Sequence, residues 1–160
     1  MNERAGYLIR RLELQAHPEG GYYREVFRSR TEVSAPGGTR RSALSTTYFL
    51  LPGGGQSRLH RLLHDETWHF YEGDPLELLW LAPGLGRVER HVLAPVDAER
   101  DAVVTVPAGC WQAARSTGDY SLVGCTVGPG FEFEDFELLS QRPAEAAAVR
   151  ERFPELAGFI

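Results

Sequence analysis

GQSRLHRLLHDETWHFYEGDP, residues 55–75, begins and ends with turn-forming residues and contains two short segments typical of β-strands, at about 56–61 and 66–72. Three histidines and two acidic residues fall within ten positions of this stretch: His60, His64, Asp65, Glu66 and His69. Imidazole and carboxylate groups are the usual acid–base groups and metal ligands of proteins. Their clustering in one predicted hairpin therefore indicates a functional site.

The same turn-and-strand pattern continues along most of the chain. From Tyr22 onward, short runs rich in Tyr, Phe, Val, Leu and Thr are interrupted by Gly or Pro about every 8 to 12 residues. This spacing predicts an all-β sandwich or barrel. Ten strands are predicted, at about 22–28, 42–51, 56–61, 66–72, 76–82, 86–93, 102–107, 110–116, 119–127 and 132–138.

Helices are predicted only near the two ends. Asn2 to about Gln15 has apolar residues at helical spacing with charged residues between them, which predicts an amphipathic helix. The Ala- and Glu-rich segment Pro143–Leu156 begins with a proline, which the first helical turn tolerates, and predicts a second helix. The segment from Ser29 to Arg41 lacks periodicity and predicts a mobile loop. We expect residues 1–160 to form a single domain.

The charged residues exclude several classes of protein. The net charge is −5, and the 17 basic residues are scattered between acidic neighbours, so nucleic-acid binding is not expected. All 17 basic residues are arginine. Without lysine, the chain has no nucleophile for Schiff-base or pyridoxal chemistry and no P-loop lysine.

The cysteines and the apolar segments bear on the cellular compartment. Cys110 and Cys125 lie in strand-like segments, which indicates buried, inert thiols rather than a disulfide framework or a zinc site. No apolar run follows the first residues, and no stretch has the length of a membrane span. We expect a cytoplasmic protein that does not bind membranes.

The spacing within residues 55–75 resembles the first motif of the cupin superfamily: glycine, His-x-His, glutamate, then six residues and glycine. His60 takes the first histidine position, Glu66 the glutamate and Gly73 the closing glycine. Pro107-x-Gly109 followed by Gln112 resembles the second motif, Pro-x-Gly-x-x-His. The resemblance implies an all-β fold, the cupin double-stranded β-helix or jelly-roll barrel, with short N- and C-terminal helices.

The chain departs from the cupin pattern at two metal-ligand positions. Leu62 stands at the second histidine of the first motif, and Gln112 stands at the histidine of the second motif. The resemblance thus implies either no cofactor, or a divalent transition metal held weakly by His60, Glu66 and Gln112 unless His64 substitutes.

One group within the superfamily, Cupin_5 (DUF985), is resembled more closely, over about residues 8 to 140. The motifs that carry this resemblance are HPEGGYYRE (17–25), TTYFLL (46–51), DE-x-WH-x-Y-x-GDPL (65–76) and PAG-x-WQ (107–112). Membership implies a homodimer and a fold similar to deoxysugar 3,5-epimerases and to auxin-binding and seed-storage barrels. It does not imply one activity.

Strand alternation predicts which side chains reach a pocket. Along 66–72, Glu66 and Trp68 share one face, and His69 lies on the other. If Glu66 faces the barrel interior, as the resemblance implies, Trp68 lines the pocket and His69 faces away unless a bulge re-aims it. Gln112 is expected to face inward. The candidate substrate-binding residues are Tyr22, Arg24, Trp68, His69, Trp111 and Gln112.

A proton-transfer chemistry follows from the resemblance to deoxysugar epimerases, which use a histidine base and a tyrosine acid. His60 beside an ionised Glu66 would remove and return a proton next to a sugar carbonyl, with a tyrosine such as Tyr22, Tyr48 or Tyr71 as the acid. The candidate catalytic residues are His60, Glu66, Tyr48 and Tyr71.

Structural interpretations stand beside these functional ones. His60 is alternatively a hydrogen-bonded residue of the barrel wall, and Glu66 is alternatively the buried ion-pair partner of Arg24. We interpret His64 as a solvated turn residue and His17 as a residue that orders the helix-to-strand junction.

Three functions fit the sequence. The first is an epimerase or isomerase that acts on a sugar or nucleotide sugar. The second is a non-catalytic barrel that binds a small, sugar-like molecule. The third is a metal-dependent oxygenase or lyase.

Overall fold

Two antiparallel sheets form the body of the computed structural model, which describes residues 2–160. The strands are β1 (Gln15–Ala16), β2 (Tyr22–Arg28), β3 (Glu32–Ser34), β4 (Arg40–Ser42), β5 (Ser45–Pro52), β6 (Gln56–Leu62), β7 (Asp65–Gly73), β8 (Leu76–Leu81), β9 (Val88–Leu93), β10 (Val103–Val106), β11 (Trp111–Ser116), β12 (Tyr120–Gly128) and β13 (Phe136–Leu138). One sheet has the order β1-β2-β5-β12-β7-β10, and the other has the order β13-β6-β11-β8-β9. The predicted all-β jelly-roll class, with a short helix near each end, is confirmed.

The main core lies between the two sheets. Alternation along β8 shows how the strands contribute to it, because Leu76 and Leu78 are fully buried in this core whereas Leu79 and Leu81 belong to a second cluster. The second cluster lies on the outer face of the five-stranded sheet. Burial on both faces explains why β8 is a nearly continuous apolar run.

Helices cover part of each outer face. Helix α1 (Glu3–Arg11) is capped by the side chain of Asn2 and packs Leu8 against Leu50 and Leu122 of the six-stranded sheet. Helix α2 (Pro143–Arg152) and the 3₁₀ segment after it cover the five-stranded sheet. Within residues 2–160, no helix has both the length and the apolar composition that crossing a membrane requires.

Two predicted segments differ from the structure. The expected mobile loop from Ser29 to Arg41 contains a hairpin in which β3 pairs with β4 around the turn at residues 36–38. The predicted strand at 132–138 begins instead with a 3₁₀ turn, Phe133–Asp135. Short pairs of this kind lack the long alternating pattern by which strands are recognised in a sequence.

The segment before β2 crosses strand β6 at close range, at Glu19 and Gly20. Gly20 has a φ of +113°, and a Cβ atom at this position would collide with the carbonyl oxygen of Gln56. Next to it, the amide of Arg58 donates to the carbonyl oxygen of Glu19 at 2.8 Å. Glycine is therefore required where the N-terminal segment crosses β6.

We predict that Gly20→Ala lowers the free energy of unfolding by about 3 kcal/mol or more, because strained φ and backbone overlap both oppose the folded state. Gly37→Ala is the matched control, since Gly37 has a φ of +90° but open space around its Cβ position. The control should cost about 1 kcal/mol. Urea denaturation measures both values, and equal losses would show that the Gln56 contact is unimportant.

Candidate functional site

A cavity of about 310 Å³ lies between the sheets. Its deep end carries three buried ionisable side chains, Glu19, His60 and Glu66. Aromatic side chains from β2, β5 and the segment before β13 form much of its wall: Tyr23, Phe49, Phe131 and Phe133. The cavity thus combines an apolar wall with acid–base groups at its floor, the usual composition of a small-molecule site.

Hydrogen bonding fixes the role of each nitrogen of His60. Its Nδ1 lies 2.8 Å from the carbonyl oxygen of Arg58, which can only accept, so we assign the ring proton to Nδ1. Nε2 then carries the lone pair and lies 3.3 Å from Oε2 of Glu19. Burial lowers the pKa of His60, although the nearby charge of Glu66 opposes this shift. His60 is therefore neutral at pH 7 and accepts a proton at Nε2.

Glu19 links two imidazole rings. Its Oε1 accepts a hydrogen bond of 2.8 Å from Ser57, and its Oε2 lies 3.4 Å from Nδ1 of His17. Burial raises the pKa of Glu19, so its acid form is favoured. The proton of this acid form can be donated to His60.

His17 lies within an aromatic cluster beside the cavity. Its ring centroid lies 4.6 Å from that of Tyr23, and its ring stacks on that of Phe133 with a centroid distance of 5.9 Å. Burial lowers the pKa of His17, with the neighbouring His60 adding to the shift. The interpretation of His17 as only a junction residue is thus incomplete, because its ring also lines the cavity.

A chain of hydrogen bonds orients Glu66. The indole N–H of Trp68 donates to Oε1 of Gln112 at 2.9 Å, and Nε2 of Gln112 donates to Oε2 of Glu66 at 2.6 Å. Burial raises the pKa of Glu66 to about 7, and the neighbouring Glu19 adds to this shift, whereas His60 and Gln112 oppose it. Glu66 therefore gains or loses its proton near neutral pH.

The structure brings His60, Glu66 and Gln112 together. Gln112 and His60 are register partners of the β11–β6 pair, and Glu66 faces them from the opposite sheet. Contrary to prediction, Trp68 does not line the cavity. Its side chain is 1% exposed and lies in the core behind the Glu66–Gln112 pair.

The three tyrosines predicted to act in the pocket, Tyr22, Tyr48 and Tyr71, do not line the cavity. Tyr22 and Tyr48 pack beneath helix α1 on the outer face of the six-stranded sheet, and Tyr71 packs edge-on against Tyr48. Alternation along the strands instead turns Tyr23 and Phe49 inward. The sequence does not reveal which of two adjacent tyrosines faces inward, because both are compatible with a strand.

The candidate substrate-binding residues Arg24 and Trp111 also lie away from the cavity. Arg24 pairs with Glu13 on the outside, so it is neither a cavity residue nor the ion-pair partner of Glu66 that the alternative interpretation offered. Trp111 packs beneath α2 and donates its indole N–H to Glu145.

Neither His64 nor His69, the two remaining histidines of residues 55–75, lines the cavity. His69 lies on the outer face of β7, as alternation predicts, and does not line the cavity. His64 is not solvated, since its side chain is 6% exposed and its Nε2 lies 3.3 Å from Asp135.

Sequence reasoning missed Glu19 and the aromatic residues Phe131 and Phe133. Glu19 stands directly before the Gly20-Gly21 turn, but the sequence does not show that this turn crosses β6 and brings the carboxyl group to the cavity. The two phenylalanines lie in a segment without regular alternation, where facing cannot be predicted.

The donor atoms do not fit the metal site of the cupin motifs. Leu62 lines the cavity and offers no ligand atom, and both side-chain polar atoms of Gln112 are engaged by Trp68 and Glu66. In the part of the chain that the structure describes, no three His, Cys, Asp or Glu side chains are grouped so as to hold a metal ion.

The family model of Cupin_5, described as the cupin superfamily (DUF985), matches residues 6–139. Comparison with curated proteins gives no match.

Solved structures of two similar proteins cover nearly the whole chain. A hypothetical protein from Leishmania major is 37% identical, with a TM-score of 0.83 over 94% of this chain and 93% of that chain. A protein from Shewanella oneidensis is also 37% identical, with a TM-score of 0.79 over 97% and 92%. Oxalate decarboxylase from Bacillus subtilis is 16% identical, with a TM-score of 0.61 over 91% of this chain and 36% of that chain, so the likeness to it concerns the fold alone.

We predict that Glu66→Gln changes the pH dependence of stability. The pKa of Glu66 is about 7 in the folded protein and about 4.3 in an unfolded chain, so the folded state binds more protons between these values. The free energy of unfolding of the wild type should therefore fall by about 3 kcal/mol as the pH rises from 4 to 8 through this group. Relative to the wild type, Glu66→Gln should be more stable at pH 8 than at pH 4.

Urea denaturation at several pH values measures this difference. Glu72→Gln is a control of opposite sign, because hydrogen bonding to Arg4 lowers the pKa of Glu72 and its contribution is lost as the pH falls. The same pH trend in both variants would contradict a raised pKa at Glu66.

We further predict that Leu62→His combined with Gln112→His creates a metal site. The two substitutions add imidazoles beside His60 and Glu66, which completes a set of ligands suited to Mn²⁺, Fe²⁺ or Zn²⁺. Calorimetric titration should show binding at least about 100-fold tighter than in the wild type. Equal affinity in the two proteins would mean that the wild-type donor atoms already suffice.

Proposed function

Because the chain belongs to the Cupin_5 (DUF985) family of the cupin superfamily, we propose that its barrel binds a small, sugar-like molecule and moves a proton on a carbon next to the ligand's carbonyl group. This is the chemistry of an epimerase or isomerase. The observation that carries the proposal is the buried group of Glu19, His60 and Glu66 at the floor of the cavity.

The protonation states of these residues support a division of roles. The carboxylate of Glu66, with a pKa of about 7, is a base at neutral pH. The acid is the Glu19–His60 pair, in which Oε2 of Glu19 lies 3.3 Å from Nε2 of His60. A base and an acid whose pKa values are shifted toward the working pH by burial are typical of proton-transfer sites.

The proposed step is balanced within the ligand and these side chains. Glu66 takes the proton from the carbon, and the electron pair of the broken C–H bond moves to the carbonyl oxygen. The Glu19–His60 pair stabilises the resulting enolate by donating its proton toward that oxygen. Glu66 then returns its proton, either to the neighbouring carbon, which gives the isomer, or to the same carbon after the planar enediol has turned its other face to Glu66, which gives the epimer. In both cases the Glu19–His60 pair takes a proton back from the hydroxyl group that becomes the carbonyl group.

The cavity wall supports a sugar-like ligand. Tyr23, Phe49 and Phe133 present aromatic rings against which the C–H face of a pyranose can pack. A volume of about 310 Å³ is at the lower end of the range for small-molecule sites. Gln112 holds Glu66 in one orientation and acts as a positioning residue.

A non-catalytic barrel is the second candidate function. Within residues 2–160, every fully buried side-chain nitrogen and oxygen atom has a hydrogen-bond partner. Such complete pairing is what a purely structural polar network requires. Loss of binding without any effect on proton exchange would favour this candidate.

We predict that the wild type catalyses exchange of the hydrogen next to the carbonyl of a free aldose or ketose in D₂O. Glu66→Gln and His60→Gln should each lower the exchange rate by about 100-fold or more, because each removes one acid–base group. The rate should rise with pH through about 7 as Glu66 ionises. Proton NMR of a panel of hexoses and 6-deoxyhexoses measures the exchange.

Tyr48→Phe and Tyr71→Phe are the matched controls. Both hydroxyl groups lie on the outer face of the six-stranded sheet, so their removal should leave the exchange rate within about 2-fold of the wild type. Exchange that survives in Glu66→Gln and His60→Gln would overturn the proposed chemistry.

A further inference from the structure

Arg28 is the only arginine among the described residues that line the cavity. It lies at the shallow end, where its side chain is 34% exposed. An arginine at the mouth of a small-molecule cavity is the usual partner of a phosphate or carboxylate group, because its planar fork matches two oxyanion oxygens. The state of this guanidinium therefore decides whether an anionic ligand can bind.

The guanidinium of Arg28 is already occupied. Its Nε and Nη2 donate to the two oxygens of Glu25 at 3.0 and 2.8 Å, which is a bidentate pair. Its Nη1 donates to Glu132 at 2.9 Å, and its Nη2 also donates to the carbonyl oxygen of Phe131 at 2.7 Å. A guanidinium has five N–H donors, and these four bonds leave one of them free. One free donor cannot form a second bidentate pair with an anion.

The remaining charges of the cavity also oppose an anion. Four carboxyl groups line it, at Glu19, Glu25, Glu66 and Glu132, against the single positive charge of Arg28. A phosphate or carboxylate that enters would lose its hydration without gaining a free positive partner. A neutral ligand would meet no such cost.

We propose that Glu25 and Glu132 are specificity-determining residues that keep Arg28 from binding anions, so that the ligand of this cavity is a sugar-like molecule without phosphate or carboxylate groups. The inference rests on the proposed function and narrows its ligand class. It removes nucleotide sugars and sugar phosphates from the candidates, and it leaves free neutral sugars and amino sugars.

The test compares ligands that share one ring and differ in charge. The probes are glucose, glucosamine, glucuronate and glucose 6-phosphate, with the corresponding galactose and mannose series, titrated calorimetrically at pH 8. For the wild type, the anionic members of a series should bind at least about 10-fold more weakly than the neutral member. In the double variant Glu25→Gln/Glu132→Gln, the ratio of anionic to neutral affinity should rise by at least about 10-fold, because Arg28 is released.

Two further variants separate charge from structure. Adding Arg28→Gln to the double variant should abolish the gain in anion affinity. Glu77→Gln removes a carboxylate that is paired with Arg115 outside this cavity and should leave the wild-type ratio unchanged. If the double variant does not fold, Glu132→Gln alone, which loses a single hydrogen bond to Arg28, should raise the ratio by a smaller factor.

The outcomes distinguish this inference from the proposed function. Tighter binding of the anionic members by the wild type, or an unchanged ratio in the Glu25 and Glu132 variants, would overturn the inference and leave the exchange chemistry untouched. No binding of any hexose by any variant would overturn both, because the sugar-like ligand itself would then be wrong.

Discussion

The burial of two carboxyl groups between the sheets is the constraint on which the rest of the site depends. Glu19 is 6% exposed and Glu66 is 8% exposed, and a charged carboxylate at such a depth is costly without compensation. The protein compensates with hydrogen-bond donors, Ser57 for Glu19 and Gln112 for Glu66, and by favouring the protonated form of Glu19, which can donate to His60. Burial raises the pKa of each carboxyl group, whereas the hydrogen bonds from Ser57 and Gln112 oppose the rise.

The departures from the cupin motifs are consistent with this constraint. A metal ion would neutralise Glu66 by direct ligation, but Leu62 and Gln112 replace two of the usual imidazole ligands. Gln112 instead bridges Trp68 and Glu66, so that the core tryptophan holds the carboxyl group in place. The second buried carboxyl group comes from Glu19, which the Gly20 turn carries over β6.

The two ends of the cavity differ in their electrostatics. At the floor, burial raises the pKa values of Glu19 and Glu66 and lowers that of His60, so the neutral form of each group is favoured more than it is in water. At the mouth, Glu25 and Glu132 satisfy the charge of Arg28. The aromatic wall between them includes Phe131, whose carbonyl oxygen also accepts from Arg28, so the mouth and the wall are held by one set of bonds.

The spacing of His60, Glu66 and Gln112 was sufficient to predict that these side chains meet, because the motifs fix their strands and alternation fixes their facing. Strand alternation predicted that His69 faces away, so its place among the candidate substrate-binding residues is wrong. The sequence could not predict the side-chain direction of residues whose orientation depends on which strand pairs with their own. Tyr22 and Tyr23 are adjacent, and only the pairing of β2 with β5 decides that Tyr23 faces the cavity.

By itself, the sequence determined the all-β class, the family and the central part of the site, because local alternation and motif spacing are properties of short segments. Only the tertiary structure decided that Glu19 and His17 join the site, that Arg28 is held by Glu25 and Glu132, and that Tyr48 and Tyr71 lie outside. These contacts link segments far apart in the chain, and their partners depend on sheet order and close backbone approach, which no local pattern encodes.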